Sequence, residues 1–296
     1  MSVSRTLFFL AGLALARIAE AGTLYAVDVI NRNIYTLDKA TGAATLIGPT
    51  GQILLTGGMT FDTSTRRLIV SNLVVPGSED AGRNVVGNGS TAPGGWTLTP
   101  PSDYVFSSSI LSLAYHAPSD TLYGLSTSPF QLQTIDRTTG ASSIGPVPLP
   151  DPPILVDLQA ITFSPDGATL YGLSRFAVHR VDRTTGQITT IGLHGLNPAF
   201  LGFGFTVDPD DGTYYVSTAT GSTSSILYRL NPATGQATLI GPLNISTSAL
   251  AVVGSSTAEV PALGPAGLVG LALLLAGMGA VLSKRRFATA RATSSR

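Results

Sequence analysis

The chain carries three histidines, His116, His179 and His194, no cysteine, and an acid inventory dominated by aspartate. Imidazoles at short, regular spacing would hold a metal or serve as a general base. No pair of these three has metal-ligand spacing. Each reads as an ordinary surface or strand residue: His116 before a turn, His179 in a strand, His194 in a loop. Asp208-Pro209-Asp210-Asp211-Gly212 looks like the opening of a calcium loop, but the remaining ligands and the terminal Glu are missing. Ser164-Pro165-Asp166-Gly167 stands at the equivalent place one unit earlier and is a turn, so the Asp-rich stretch reads as a turn too. Glu79 and Glu259 are the only glutamates beyond residue 21, which disfavours a paired-Glu glycosidase; Asp pairs stay open. No Gly-x-Ser-x-Gly elbow, P-loop or zinc signature occurs. Without cysteine there is no disulfide framework and no thiol chemistry. No cofactor is implied.

One stretch has residues suited to recognition. Residues 73–109 are rich in Pro, Gly and Ser and hold the only tryptophan, Trp96, with Tyr104 and Phe106 nearby. Long loops on rigid scaffolds often carry binding, and an exposed indole suits a sugar ring or a peptide. Trp96, Tyr104 and Phe106 are therefore the candidate binding residues. The competing reading is a degenerate hairpin whose Trp packs between repeats.

The scaffold is written in repeats. The turn Asp-x-x-Thr-Gly starts at Asp38, Asp136 and Asp182, with Asn231 opening a variant; the spacings are 98, 46 and 49 residues. A second marker, of the type Leu-Tyr-Gly-Leu-Ser, starts at Leu24, Leu68, Leu122, Leu170 and Tyr214. Five copies of the second marker bracket four of the first, so the missing turn falls within residues 83–99. Asp or Asn opens each turn because its side chain accepts backbone N–H groups, and Gly closes it because it takes positive φ freely. Period-2 alternation, as at Ile135/Arg137 and Val181/Arg183, marks half-buried strands, and helical periodicity is absent. Four short strands in each unit of about 45 residues predict an all-β chain folded as a β-propeller of about five four-stranded blades. Residues 249–253 supply one strand that lacks a following partner, and Leu24–Asp28 is the strand that lacks a preceding one. Pairing of the N- and C-terminal strands would close the ring and remove its open edges. On this reading the innermost strands are those of the second marker. They offer mostly small and hydroxyl residues, with Asp28 and Asn72 as exceptions, a poor cage for a metal.

The two ends predict export. Residues 1–21 combine Arg5, an apolar run from Leu7 to Ala16, and Ala19-Glu20-Ala21 before Gly22, the pattern of a secretory signal peptide cleaved after Ala21. Residues 22–254 form the propeller, with 73–109 as an irregular insert in blade two, and residues 255–261 form a linker. Residues 262–282 carry no charge and suffice for one transmembrane helix. Lys284, Arg285 and Arg286 then open a basic tail, 283–296, which places the tail in the cytoplasm and the bulk of the chain outside it. Between the signal and the helix, ten basic and sixteen acidic side chains leave a net charge of −6, which argues against nucleic acid as a partner.

Val260-Pro261-Ala262-Leu263, the apolar helix and the basic cluster together resemble the bacterial PEP-CTERM and IPTL-CTERM sorting signals. The Pro-Glu-Pro of the first is absent, and Ala262 stands where the second has Thr. The resemblance implies processing near Val260 and Pro261 by an exosortase-type protease and delivery to the surface of a Gram-negative bacterium. Residues 24–254 also resemble a family of bacterial extracellular propellers of uncharacterised function, through "LYxL…LYxID…TGxxxxIG". That resemblance implies the fold and the exported context and supplies no catalytic residues.

The expected function is that of an exported, membrane-tethered or surface-sorted propeller, not an enzyme. It would bind or organise envelope or matrix material, with polysaccharide or a neighbouring envelope protein as partner. Export machinery and signal peptidase are the other partners. The alternative is a secreted hydrolase or lyase with a metal at the ring axis.

Overall fold

The computed structural model describes residues 22–50, 56–72, 87–90, 110–127, 130–137, 141–142, 147–148, 157–197, 202–219 and 224–255. The described residues are strands and turns, with a single 3-10 turn at Ala117–Ser119. None of their helices is long and apolar enough to cross a membrane. The expected signal peptide, the expected transmembrane helix at 262–282 and the basic tail lie outside the described residues. So do Trp96, Tyr104, Phe106, Ala21, Val260 and Pro261.

Among the described residues, nineteen strands build antiparallel sheets that follow one another along the chain. Sheet I contains β1 (Thr23–Asp28), β2 (Asn33–Leu37) and β3 (Ala44–Pro49). Sheet II contains β4 (Thr56–Asp62), β5 (Arg67–Asn72) and β6 (Gly87–Ser90). Sheet III contains β7 (Ile110–His116), β8 (Thr121–Thr127), β9 (Phe130–Ile135) and β10 (Val147–Pro148). Sheet IV contains β11 (Leu158–Phe163), β12 (Leu170–Ser174), β13 (Ala177–Val181) and β14 (Ile188–Leu193). Sheet V contains β15 (Gly202–Val207), β16 (Tyr214–Ala219), β17 (Ile226–Leu230) and β18 (Ala237–Pro242). The last strand, β19 (Leu250–Val253), pairs with β1, from Thr23 opposite Val253 to Ala26 opposite Leu250. Sheets I, III, IV and V are thus complete four-stranded blades of a β-propeller; sheet II shows three strands among the described residues.

The strands nearest the axis are β19, β4, β7, β11 and β15, which pack on one another in cyclic order. This corrects the sequence expectation that Leu24–Asp28 and its equivalents are innermost. Each of those strands pairs on both sides, as β12 does with β11 and β13, and so lies one place out from the axis. The physical reason is in the side chains. A strand at the second place has neighbours on both edges and both faces, and Leu24, Leu68, Leu122 and Leu173 are accordingly almost fully buried.

Apolar side chains fill the gap between each sheet and the next. Met59 and Val70 of sheet II meet Val27 and Ala251 of sheet I, and Ile69 meets Leu113 and Leu122 of sheet III. Leu125 of sheet III meets Ile161 and Leu170 of sheet IV. Leu173 and Val178 meet Phe205 and Tyr214 of sheet V. Tyr215 and Leu227 return to Leu24 and Leu250 of sheet I. Burial between neighbouring sheets, with each sheet flanked on two faces, is the main apolar stabilisation of the ring.

The repeated turns have the chemistry their residue types imply. Asp38 Oδ1 accepts from the backbone N–H of Ala40 and of Thr41, and Gly42, at φ 80°, donates its N–H to Asp38 O. Asp182 and Asn231 do the same for their own turns. In sheets I, IV and V the glycine of the outer Ile-Gly pair follows a bulge. The register skips Ile47, Ile191 and Ile240 in β3, β14 and β18. The bulge turns the backbone of Gly192 against the next sheet's Thr234-Gly235 turn. A Cβ at Gly192 would lie 2.1 Å from Thr234 O, and one at Gly241 would lie 2.2 Å from Thr41 O. The signature that runs from Thr-Gly to Ile-Gly is therefore the docking surface between neighbouring blades.

Candidate functional site

A second set of contacts ties three of the turns to the preceding sheet. Lys39, second residue of the sheet I turn, pairs with Asp208 at the end of β15. Arg137, at the same place in sheet III, reaches Asp62 at the end of β4, with Nη1 2.6 Å from Oδ2. It also pairs with Asp120 and lies 5.4 Å from the Tyr115 ring centre. Arg183, at the same place in sheet IV, reaches the end of β7, where the residue is His116. Asp62 and Asp208 are fully buried, so the cation matters: an unpaired carboxylate there would be costly. Burial raises the Asp62 pKa, but hydrogen bonds from Thr65, Arg137 and Ser64 outweigh it and hold the carboxyl below the usual range.

The three histidines are structural in the same sense. The His116 Nε2 lies 3.0 Å from Gly167 O, while Nδ1 accepts from the Ser119 backbone N–H. These partners assign a neutral ring with its proton on Nε2. Burial, then the nearby Arg183 charge, lowers its pKa. His179 and His194 come together at Ser174: His179 Nε2 is 2.9 Å from Ser174 Oγ, and His194 Nε2 is 3.1 Å from Ser174 O. Both are buried. Burial, with a smaller contribution from the His194 charge, pushes His179 down to about 4, and burial lowers His194 as well. Sequence spacing had kept these two apart; the hairpin β13–β14 brings them together. Among the described residues no group of three or more His, Cys, Asp or Glu converges in a metal-binding arrangement.

Asp208–Gly212 is a turn, as expected. Gly212 donates to Asp208 O, Asp210 N–H donates to Asp208 Oδ1, and Gly212 has φ 74°. The Ser164 turn matches it, with Gly167 donating to Ser164 O.

What remains open is the mouth of the ring at the ends of the inner strands. A cavity of about 100 Å³ lies there, lined from all of β4, β7, β11, β15 and β19. Its polar surface includes Thr60, Thr162 and Thr206, and Phe61, Tyr115 and Phe163 supply ring surface. The threonines are two residues before each turn, in Thr60-Phe61-Asp62, Thr162-Phe163-Ser164 and Thr206-Val207-Asp208. Thr60 Oγ1 accepts from the Tyr115 backbone N–H. Thr162 and Thr206 are each 8% exposed, and the cavity is what they are exposed to. Sequence reasoning missed these residues, although a Thr two places ahead of each turn was the available signal. The arrangement offers neutral hydroxyls beside flat apolar faces and no charged group in the lining.

No protein-family model matches the chain, and none of the curated proteins matches it. Several solved structures are similar to the chain at low identity. A chain of the nidogen/laminin complex is 11% identical, over 79% of this chain and 99% of that one, with a TM-score of 0.48. A gluconolactonase from Xanthomonas campestris is 14% identical, over 80% and 85%, with a TM-score of 0.43. An auxiliary nutrient binding protein from Bacteroides thetaiotaomicron is 16% identical, over 74% and 56%, with a TM-score of 0.43. Identities this low concern the fold alone.

Proposed function

We propose that this chain is an exported surface protein, tethered by its C-terminal segment or sorted through it, whose propeller binds a neutral saccharide of the envelope or matrix without catalysing a reaction. Sheet II is then the fifth, irregular blade, and 73–109, with Trp96, is a second contact region. The signal-like N-terminus and the apolar segment ahead of the basic tail support the location.

The observation that carries the reading is the axial mouth. Thr162 and Thr206 present hydroxyls with ring surface from Phe61 and Phe163 beside them. Hydroxyl groups and apolar faces are the two surfaces of a sugar. The volume of about 100 Å³ holds roughly three waters, so a ligand lies across the mouth with one substituent inside. Asp62 and Asp208, which follow Phe61 and Val207 of the lining, already pair with Arg137 and Lys39. Their use as blade clasps supports binding over hydrolysis.

The test is calorimetric titration of the full chain with a panel of neutral oligosaccharides, with and without added Ca²⁺, beside an assay for product release. Thr162→Val and Thr206→Val remove a hydroxyl each at nearly constant shape. One lost hydrogen bond is worth about 0.5–1.5 kcal/mol, so affinity should fall roughly 2- to 10-fold for each. Trp96→Ala reports on the insert separately. Binding unchanged in both threonine variants would remove the mouth from the reading. Turnover of any panel member would replace it with the enzyme alternative.

A further inference from the structure

We infer that sheet IV carries a separate site for a carboxylate-bearing saccharide, in a groove whose cationic walls are Arg180 and Arg183. The groove has a volume of about 410 Å³, inside the usual range for small-ligand sites. Its lining adds Thr169, Thr184, Gln187 and Thr189. Arg180, Arg183, Thr184, Gln187 and Thr189 are all exposed.

The charge of Arg183 is the unusual feature. In sheets I and III the cation at this place in the turn meets a buried carboxylate, Asp208 or Asp62. In sheet IV the residue facing it is His116, whose hydrogen bonds to Gly167 and Ser119 mark it as neutral. Arg183 Nη1 lies 3.0 Å from His116 Nδ1, the accepting nitrogen of a neutral ring, and Arg183 has no carboxylate within 4.0 Å among the described residues. Arg180, on β13 opposite Tyr171 and Thr189, likewise has no carboxylate within 4.0 Å among the described residues. Asp182 also lines the groove, and its Oδ1 is turned to the Thr184 and Thr185 amides, 2.8 and 3.0 Å away. Two guanidinium groups at one concave site favour a planar anion, which they can engage through paired N–H donors. The hydroxyls and the amide around them suit the rest of a sugar ring. A uronic-acid saccharide has both parts.

The choice of a saccharide rests on the binding-module reading above; the anion site itself does not. The experiment therefore separates the two. The full chain is titrated with a trigalacturonate, with a neutral trisaccharide of the same ring type, and with its sulfated counterpart. Trigalacturonate should bind, more tightly at low salt than at 150 mM. Arg180→Gln, which removes an exposed side chain with no carboxylate within 4.0 Å among the described residues, should weaken that binding about tenfold or more. Arg183→Lys keeps the charge but loses the paired donors and should also weaken it, with circular dichroism unchanged. Thr162→Val should leave it unaltered. Failure of trigalacturonate to bind, or equal binding by Arg180→Gln, overturns the site. Equal binding of the neutral trisaccharide to this groove overturns its anionic character. Preference for the sulfated form overturns the carboxylate assignment. Loss of neutral-sugar binding alone sinks the axial-mouth reading and leaves this site standing.

Discussion

His179 shows how a single buried side chain links pH to stability. It is 0% exposed and its ring nitrogens face Ser174 and Thr190. Burial lowers its folded pKa from 6.5 to about 4. A depressed folded value means that the unfolded chain binds the proton more tightly. The stabilisation is present above pH 6.5 and is lost as pH falls through 6.5 toward 4. Below pH 4 the loss amounts to about 3 kcal/mol from this residue. His194 is lowered by burial in the same direction and adds to the loss as pH falls. Urea melts at pH 7, 5.5 and 4 should show this slope, and His179→Gln should flatten it. A slope unchanged in the variant would assign the acid sensitivity to other groups.

The element that defines this protein is the junction between one blade's outer bulge and the next blade's turn. Gly192 sits under Thr234-Gly235, and Gly241 sits under Thr41-Gly42. The approach is backbone to backbone, so no rotamer change can relieve an added methyl. Gly192→Ala should cost about 1–3 kcal/mol through overpacking and lower the thermal midpoint. Gly48→Ala is the control, since a Cβ there would meet no atom within 4 Å. Equal effects of the two substitutions would mean that the glycines matter for local conformation and not for docking. The Lys39–Asp208 clasp acts at the Gly241 junction, and both of its partners are repeat positions. Where sheet V has Pro232 in place of the cation, the residue opposite is Ser164, an uncharged substitute for Asp.

At the scale of the whole molecule, closure decides whether the ring holds. The strands β1 and β19 come from the two ends of the propeller, yet they share one sheet and one core with Tyr215 and Leu227 of sheet V. Removing Leu250–Val253 strips β1 of its inner partner and exposes Leu24 and Ala26. A chain ended after Ala249 should lose its cooperative thermal transition, whereas one ended after Ser255 should keep it. A sharp transition in the shorter chain would show that closure is dispensable. The placement of Thr60, Thr162 and Thr206 at one mouth also depends on this closure, because they come from three different sheets.

The sequence by itself determined the strand repeats, the turn chemistry and the pairing of the chain ends. Those features rest on contacts within a few residues, such as Asp38 with Thr41, or on a count of repeats that leaves one strand unpaired at each end. It also showed that Asp208–Gly212 is a turn. Tertiary structure alone decided which strand faces the axis, because period-2 alternation looks the same at the first and second places of a blade. Packing of one sheet on another likewise brought Lys39 to Asp208 across 169 residues and His116 to Arg183 across 67. Local patterning does not encode such distances. They follow from how many units fit around the ring before its ends meet.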